Sequence, residues 1–424
     1  MKSLKPVYVI AGKRTPFAKS GTVYAKTKIN DLMGHSLNAL VESQGLKGKT
    51  VGDVAFGAVM NSSLNWPMPR EVVLGSGLHP YTPAYYIQRA CGTGLEATWN
   101  LALKIGAGQI PDAIAGGVDT NSDVPIEVNQ GYRDWLLKLN AARTMGERLG
   151  LLAQVRPSFL APKFPQVAEA RTGMSMGEHC ELMVKEWKIS REAQDELAYR
   201  SHKNGAKAYD EGFFKDMVVP FGKVDRDATL RGDTTLEKLA KLKPAFDKSP
   251  AGTLTAGNSS PMTDGSSCVL IAGEESMKQN HWMPMARLVD FESAAVDFVH
   301  GDGLLMAPTV AVSRLLDRNN LKLQDFDYYE IHEAFAGQVL CTLKAWESAE
   351  YCKKYMGKAM PLGSIDITKM NVVGSSVAVG HPFSATGARL VMTLAKLLTK
   401  KKGRGLISIC TAGGMGVAAI LESV

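Results

Sequence analysis

The sequence predicts an α/β protein built from two similar halves with a helical insertion between them. Short β-rich runs alternate with helical stretches in residues 1–124, and this alternation returns from about residue 246 to Val424. Residues 125–245 lose the alternation and become charged and helical in pattern. Strands that alternate with helices are typical of a mainly parallel sheet covered by helices.

The first region, residues 1–124, combines runs of β-branched and aromatic residues with apolar residues at helical spacing. Gly116 and Gly117 follow the last of its strands and indicate a turn. The predicted strands are Val7–Ile10, Asp53–Met60, Tyr85–Arg89 and Ala113–Ala115, and the predicted helices are Asp31–Gln44 and Leu95–Ala107.

The insertion, residues 125–245, contains two helical segments. Ser190 has the character of a helix N-terminus and begins the predicted helix Ser190–Gly212. Between Tyr132 and Phe164, apolar residues recur at helical spacing, and six basic residues outnumber two acidic ones. Two interpretations of this second segment stay open: a helix packed on its own domain, or a basic amphipathic helix that covers a tunnel or lies on a membrane.

The last region repeats the order of elements found in the first. The run Val372–Val379 leads as a strand to His381, just as the strand Tyr85–Arg89 leads to Cys91. We therefore predict an internal duplication of architecture rather than of sequence. The other predicted elements are the strand Tyr328–Ile331, the helix Ser384–Leu398, the strand Leu406–Ile409, a turn at Gly413 and Gly414, and the hairpin strand Val417–Leu421.

The composition excludes several classes of protein. Apolar residues make up 45% and charged residues 21% of the 424, which excludes a disordered or fibrous chain. No apolar run approaches the ~18–20 residues that a membrane span needs. The net charge of +7 is dispersed and forms no basic stripe, so small anionic substrates fit better than nucleic acid. Six cysteines and an N-terminal apolar run too short for a signal peptide predict a cytoplasmic location.

Three residues are candidates for catalysis, and each also has a purely structural interpretation. Cys91 precedes a predicted helix, whose unpaired N–H groups favour a thiolate; it could equally be a small core residue. His381 lies in a loop made rigid by Gly380 and Pro382, which suits a general base or a structural histidine. Cys410 ends a strand beside a glycine turn, where backbone N–H groups stabilise an oxyanion, or it fills the core.

Other motifs give negative results. The segment from His332 to Ala336 begins like a zinc-protease helix, but Ala336 stands where the second histidine is required. The sequence therefore predicts no metal site. It also lacks a Walker A motif and a G-x-G-x-x-G motif after a strand, so it supports neither nucleotide hydrolysis nor dinucleotide binding.

Taken in order, six motifs resemble those of the thiolase superfamily, specifically the coenzyme A-dependent 3-ketoacyl-CoA thiolases. The resemblance implies a five-layered αβαβα core of two similar halves with a loop domain. It implies an N-terminal half at 1–124 completed by about 246–280, a loop domain at 125–245 and a C-terminal half at 281–424. The motifs are Val9-Ile-Ala-Gly-Lys-Arg14-Thr15-Pro16-Phe17, Arg89-Ala-Cys91-Gly-Thr-Gly, Gly252-Thr-Leu-Thr-Ala256-Gly-Asn258-Ser-Ser260, His332-Glu-Ala-Phe, Gly380-His381-Pro382 and Cys410-Thr-Ala-Gly-Gly.

The resemblance also implies roles for the candidate residues in cleaving 3-ketoacyl-CoA to acetyl-CoA and a shortened acyl-CoA. Cys91 is the acylated nucleophile, His381 is its base, and Cys410 handles the proton on the acetyl-CoA carbon. The backbone N–H groups of Cys91 and Ala412 form an oxyanion site. Coenzyme A is a co-substrate, and no permanently bound cofactor is implied. The implied CoA contacts are Ala256 and Ser260 at the pantetheine loop, Arg231 beside the adenine nucleotide, and Met176, Ala334 and Phe335 along the pantetheine channel.

The sequence departs from the family pattern at four positions. His332 stands where asparagine is usual, and this form resembles the thiolase subunit of the trifunctional β-oxidation enzyme. It makes His332 a candidate oxyanion donor. Ala412 replaces glycine, Thr93 replaces serine, and Lys238 stands where serine is common near the nucleotide.

Several alternatives stay open at the level of sequence. A biosynthetic acetoacetyl-CoA thiolase, a decarboxylating ketoacyl synthase and a noncatalytic acyl-CoA or lipid carrier share the fold. Cys410 argues against the synthase, and the presence of Cys91, His381 and Cys410 together argues against the carrier. The resemblance further implies a homodimer or a dimer of dimers. It raises the prospect that residues 132–164 contact a β-oxidation α-subunit or a membrane surface.

Overall fold

The computed structural model of the chain describes residues 4–424, in which one ten-stranded sheet joins both halves. The strands are β1 Val7–Arg14, β2 Ala18–Lys19, β3 Val54–Gly57, β4 Ala84–Tyr86, β5 Asp112–Asp119, β8 Thr263–Gly273, β9 Ala286–Ala295, β10 Tyr328–Ile331, β11 Arg404–Thr411 and β12 Met415–Glu422, with β6 Glu127–Val128 and β7 Pro162–Lys163 pairing separately. The helices are α1 Ile29–Ser43, α2 Met68–Leu74, α3 Thr93–Gly106, α4 Gln130–Ala141, α5 Met145–Leu152, α6 Met176–Glu186, α7 Arg191–Asp210, α8 Leu236–Ala240, α9 Glu274–Gln279, α10 Ala307–Asn319, α11 Ala336–Glu347, α12 Ala349–Met356, α13 Ser376–Val379 and α14 Ala385–Lys400.

The halves have the same strand order. In the first half the order is β4-β3-β5-β8-β1, and in the second it is β10-β11-β12-β9, with β1 and β9 paired where the halves meet. The second half has no strand equivalent to β4 among the described residues. A single parallel bridge between Tyr329 and Met370 lies at that position instead. The structure therefore has the predicted duplication of architecture.

Helices separate and cover the two halves of the sheet. Helices α3 and α14 pack against each other in the centre, and α14 contacts strands of both halves. Helices α1 and α2 cover the outer face of the first half, and α10 covers that of the second. The result is the expected αβαβα sequence of layers. Apolar side chains are buried where neighbouring layers meet, and this burial is the main favourable contribution to the stability of the fold.

The prediction of a mainly parallel sheet was wrong. Only the pairs β3–β4, β3–β5 and β10–β11 are parallel, and the other ladders in the described residues are antiparallel. The reason is β8, which follows the insertion in sequence yet lies between β1 and β5 and runs against both. Local alternation of strands and helices carries no information about a strand contributed from so far along the chain.

Two local predictions also need correction. The run Val372–Val379 is a loop followed by the single-turn helix α13 instead of a strand. Asn371 and Gly374 have positive φ angles of 49° and 77°, which end extended backbone, and the N–H of Val377 donates to the Glu333 carboxylate. Gly116 and Gly117 lie inside β5 instead of in a turn. A Cβ atom would lie 2.3 Å from the Ser267 oxygen at Gly116 and 2.2 Å from the Ser384 oxygen at Gly117, so the close approach of other backbone requires glycine at both positions.

The insertion is helical as predicted, and Ser190 caps α7 by accepting a hydrogen bond from the N–H of Ala193 at 3.1 Å. The basic segment forms two helices, α4 and α5, rather than one. Thr144 breaks the helical run because it caps α5 through a capping box with Glu147. Neither α4 nor α5 has a buried residue, so this segment projects from the rest of the protein. Within residues 4–424, no helix is both long and apolar enough to cross a membrane.

Candidate active site

The first turns of the central helices meet at two glycines, and this contact positions the candidate site. The N–H of Gly94 in α3 donates to the carbonyl of Ser384 at 3.1 Å. A Cβ atom on Gly387 in α14 would lie 2.2 Å from the backbone nitrogen of Leu95, which no side chain allows. Helix α3 begins at Thr93, shortly after Cys91, and α14 begins at Ala385, shortly after His381. The contact between the helices therefore brings Cys91 and His381 close together.

Cys91, His332 and His381 form a compact cluster. The Cys91 Sγ and one ring nitrogen from each histidine all lie within 4.8 Å of one another, and the two imidazole centroids are 4.2 Å apart. A cavity of about 220 Å³ opens onto this cluster, and Cys410 at the end of β11 lines it together with Cys91 and His381. Ala90, just before Cys91, has a φ of 43°, an uncommon conformation that occurs at reactive sites.

His381 is held in one orientation. Its Nδ1 lies 2.6 Å from the Thr386 hydroxyl, and its backbone N–H donates to the Thr263 hydroxyl at 2.8 Å. Gly380 has a φ of 102°, which favours glycine and turns the chain sharply before His381. Burial, with a contribution from the positive charge of Arg389, lowers the pKa of His381 to about 3. The ring is therefore neutral, and its Nε2 has no hydrogen-bond partner among residues 4–424.

The helix N-terminus favours a thiolate at Cys91, but burial outweighs it. Burial raises the pKa of the Cys91 thiol to about 12, and the nearby Asp119 and Glu169 carboxylates add to this effect. The backbone N–H groups of Ala412 and Cys91 act in the opposite direction but are the weaker influence. The resting pair is thus a neutral thiol beside a neutral imidazole.

His332 lies behind the cavity wall at the end of β10. The backbone N–H of His332 donates to the carbonyl of Ser408 at 2.8 Å, and its ring Nδ1 is 2.8 Å from the Ser376 hydroxyl. Burial, with contributions from His381 and Arg389, holds the pKa of His332 well below its usual value. Its Nε2 has no partner within the part of the chain that the structure describes. Burial likewise raises the pKa of Cys410 well above its usual value.

A second and larger cavity of about 750 Å³ adjoins the first. Ser260 lines both cavities, so a molecule in the outer one can extend toward Cys91. The outer cavity also contains Lys238, whose Nζ pairs with an Asp233 carboxylate oxygen at 2.9 Å. Of the residues that the resemblance assigns to CoA, those on the outer cavity are Arg231, Ala256 and Ser260, and those on the inner cavity are Met176, Ser260, Ala334 and Phe335.

Sequence reasoning missed three residues that support the histidines. Thr386 contacts His381, while Ser376 contacts His332 and is itself contacted by Arg389. Thr386 could have been noticed, because a hydroxyl in the first turn of the next helix is close to the preceding loop. The contact between Ser376 and His332 joins elements 44 residues apart and leaves no local signal.

The cluster also has a donor set that zinc binds in other proteins. Cys91, His332 and His381 supply one thiol and two imidazoles. The sequence predicts no metal here, and this stays a prediction. Both histidine Nε2 atoms and Sγ are the groups that acyl transfer would use, so an ion held by them would block that chemistry.

Comparison with protein families gives two matches that together cover nearly all of the chain. A model described as "Thiolase, N-terminal domain" matches residues 7–275, and "Thiolase, C-terminal domain" matches residues 282–423. The chain is 40% identical to a 3-ketoacyl-CoA thiolase of Aliivibrio fischeri, over 98% of this chain and 95% of that protein. It is also 40% identical to a 3-ketoacyl-CoA thiolase of Photobacterium profundum, over 98% and 97% of the two chains.

Solved structures give the same result. Human mitochondrial 3-ketoacyl-CoA thiolase in complex with CoA superposes with a TM-score of 0.81 at 29% identity, covering 99% of this chain and 98% of that one. The acetyl-CoA acetyltransferase of Bacillus anthracis superposes with a TM-score of 0.82 at 28% identity, over the whole of both chains.

The raised pKa of Cys91 predicts how the free protein reacts with iodoacetamide. The thiolate fraction grows about tenfold for each pH unit below the pKa, so alkylation of Cys91 should keep accelerating from pH 7 to pH 10. Mass spectrometry of the Cys91 peptide against time measures this rate, and Cys91→Ser gives the background. A rate that levels off near pH 7 would instead show a resting thiolate paired with a protonated histidine.

Proposed function

The chain belongs to the thiolase family, and from that membership and the geometry of its site we propose that it cleaves 3-ketoacyl-CoA with coenzyme A. The products are acetyl-CoA and a shortened acyl-CoA. The observation that carries the proposal is the convergence of Cys91, His381 and Cys410 on one cavity that adjoins a larger surface cavity. The larger cavity offers room for the nucleotide of CoA, and the smaller one brings its thioester to the reactive thiol.

The first half-reaction forms an acyl-enzyme. His381 Nε2 takes the proton from the Cys91 thiol as its sulfur attacks the C3 ketone, because neither group is charged beforehand. The backbone N–H groups of Cys91 and Ala412 stabilise the negative charge on the C3 oxygen. The bond between C2 and C3 then breaks, which leaves an acyl thioester on Cys91 and the enolate of acetyl-CoA.

The enolate is protonated and the acyl group is then transferred. Cys410 donates its proton to C2 and completes acetyl-CoA, while a ring N–H of His332 stabilises the enolate oxygen. A second coenzyme A molecule enters, its thiol gives its proton to the Cys410 thiolate, and its sulfur attacks the thioester on Cys91. The Cys91 sulfur leaves and recovers its proton from His381, which restores both thiols and the neutral imidazole. Each step is reversible, and the reverse direction is a Claisen condensation.

Separate observations bear on the condensing direction, the degradative direction and a noncatalytic carrier. The superposition with an acetyl-CoA acetyltransferase favours the condensing direction as the second candidate, since the residues required are the same. The two bacterial relatives are both named as 3-ketoacyl-CoA thiolases, and this supports the degradative direction. A noncatalytic carrier would need neither a buried base nor a second thiol at the cavity, and both are present.

We propose further that the protein acts as a cytoplasmic homodimer or a dimer of dimers. Strand β4 ends the sheet with an edge that is unpaired in the single described chain, and such edges are commonly covered by another copy. All six cysteines are free, which supports a reducing location.

The projecting segment 132–164 is proposed as a docking surface for a membrane or a partner subunit. Leu137, Leu149 and Leu160 are exposed there among the basic residues. Sedimentation with anionic vesicles should carry the protein down, and sedimentation with zwitterionic vesicles should not. Equal behaviour with both kinds of vesicle would contradict an electrostatic membrane contact, and co-purification with an α-subunit would then favour the partner.

The acyl-enzyme gives the direct test of function. Purified protein should cleave 3-ketoacyl-CoA in a CoA-dependent reaction, and rates over a four- to sixteen-carbon series give its chain-length preference. An acyl donor should add one acyl mass to the Cys91 peptide, and Cys91→Ala should abolish both the adduct and turnover. Cys410→Ala should still form the adduct, yet lose exchange of the acetyl-CoA methyl protons with deuterated water by about 10²–10⁴-fold.

The same assays define the contrary outcomes. An adduct on the Cys410 peptide would reverse the assignment of the two thiols. Wild-type exchange in Cys410→Ala would remove Cys410 from the proton transfer. Binding of acyl-CoA without cleavage by the wild-type protein would favour the carrier.

The role of His332, which stands where asparagine is usual in the family, is tested separately. His332→Ala should lower kcat by about 10²–10³-fold, the loss expected for one oxyanion donor, with exchange impaired more than acylation of Cys91. His332→Asn should keep substantial activity, because a carboxamide can hold a water that donates to the same oxygen. Turnover near the wild-type value in His332→Ala would show that His332 is structural only.

A further inference from the structure

A hydrogen-bonded chain reaches His332 from the side away from the cavity. Arg389 Nη2 donates to the Ser376 Oγ at 2.7 Å, and the same Oγ lies 2.8 Å from His332 Nδ1. All three side chains are buried, and none is more than 1% exposed. Arg389 comes from the central helix α14, and Ser376 from the single turn α13.

The chemistry of the three groups decides where each proton lies. A guanidinium has only donors, so Ser376 Oγ must accept from Arg389. The single hydroxyl hydrogen of Ser376 then needs an acceptor, and His332 Nδ1 is the one that the geometry provides. If Nδ1 carried a proton instead, two donors would face Oγ and the buried hydroxyl hydrogen would be left unpaired, which is costly.

We propose that Ser376 and Arg389 are positioning residues that hold His332 as the Nε2-protonated tautomer, so that its Nε2–H faces the reacting thioester as a donor. The proposal rests on the function proposed above and names how the oxyanion site is prepared. The proposed tautomer also explains why His332 Nε2 has no protein partner in the described residues, because its N–H then donates to the substrate oxygen.

The surrounding charges favour the same arrangement. Burial lowers the pKa of Arg389 to about 10, so its guanidinium stays protonated near neutral pH. Arg389 and His381 in turn disfavour a positive charge on His332. His332 is therefore a neutral donor, and a neutral ring has only one proton to place.

The neighbouring His381 needs the opposite state. As the base for Cys91 it must accept at Nε2, so its proton lies on Nδ1 and is donated to the Thr386 hydroxyl. Two imidazoles whose centroids are 4.2 Å apart thus offer one acceptor and one donor within the same cluster. Without a hydroxyl fixed behind each ring, either histidine could present the wrong nitrogen.

A double-mutant cycle tests the proposal, with exchange of acetyl-CoA methyl protons as the readout. Ser376→Ala should slow exchange by about 10–10²-fold, the usual loss for a residue that orients an active group, with a smaller effect on Cys91 acylation. In a His332→Asn background the same change should have no further effect, because the carboxamide has no tautomer to fix. Ser375→Ala is the matched control: its hydroxyl is also buried and contacts Arg389 but not His332, so exchange should stay near wild type.

A spectroscopic measurement supports the kinetics independently. Nitrogen-15 NMR of the ligand-free, histidine-labelled protein identifies His332 by the signals missing from His332→Asn. It should show Nδ1 unprotonated and Nε2 protonated in the wild-type protein, and a mixture of both tautomers in Ser376→Ala.

The outcomes separate this inference from the proposed function. Equal loss from Ser376→Ala in both backgrounds, or no loss at all, would overturn it and show that Ser376 is merely structural. A His332 protonated at Nδ1 would overturn it as well. If the wild-type protein cleaved no 3-ketoacyl-CoA, the proposed function would fail, while the NMR measurement would still report the tautomer.

Discussion

The close packing of α3 against α14 is the constraint on which the rest of the site depends. Gly94 and Gly387 let the two first turns approach until backbone touches backbone. Cys91 and His381 belong to different halves of the duplicated fold, and each stands just before one of these helices. A side chain at either glycine would separate the helices and, with them, Cys91 from His381. Duplication therefore supplies two similar loops, and the helix contact turns them into one site.

Burial sets the electrostatics of this site. The pKa of Cys91 is raised and that of His381 is lowered, so neither carries charge before a substrate arrives. A charged pair would need its own counter-ions or water inside a narrow cavity. Neutral partners avoid that cost, and in the proposed mechanism charge develops only during the reaction, negative on the substrate oxygen and positive on His381. The same burial that makes the thiol weakly acidic thus concentrates stabilisation on the transition state.

Sequence patterns identified the residues that meet at the candidate site better than they predicted the pairing of the sheet. Cys91, His381 and Cys410 are marked by glycines and proline in short motifs, and short motifs fold locally. The antiparallel entry of β8 depends on pairing across the whole insertion, so alternation of elements could not reveal it. The raised pKa of Cys91 was missed for a related reason: the helix N-terminus is visible in sequence, whereas the burial that outweighs it comes from distant segments.

The exchange of asparagine for histidine at position 332 has consequences beyond its own side chain. A carboxamide carries its donor and acceptor on fixed atoms, and rotation alone orients it. A neutral imidazole carries one proton that can occupy either nitrogen, so its donor must be specified from outside. The hydroxyl of Ser376 does this only because Arg389 occupies its lone pair from behind. With alanine at 376, both His332 Nδ1 and the Arg389 N–H would lose a partner in a buried site. His332, Ser376 and Arg389 therefore form one hydrogen-bonded unit. In the proposed mechanism the ring donates to the substrate, and the other two residues fix which nitrogen carries the proton.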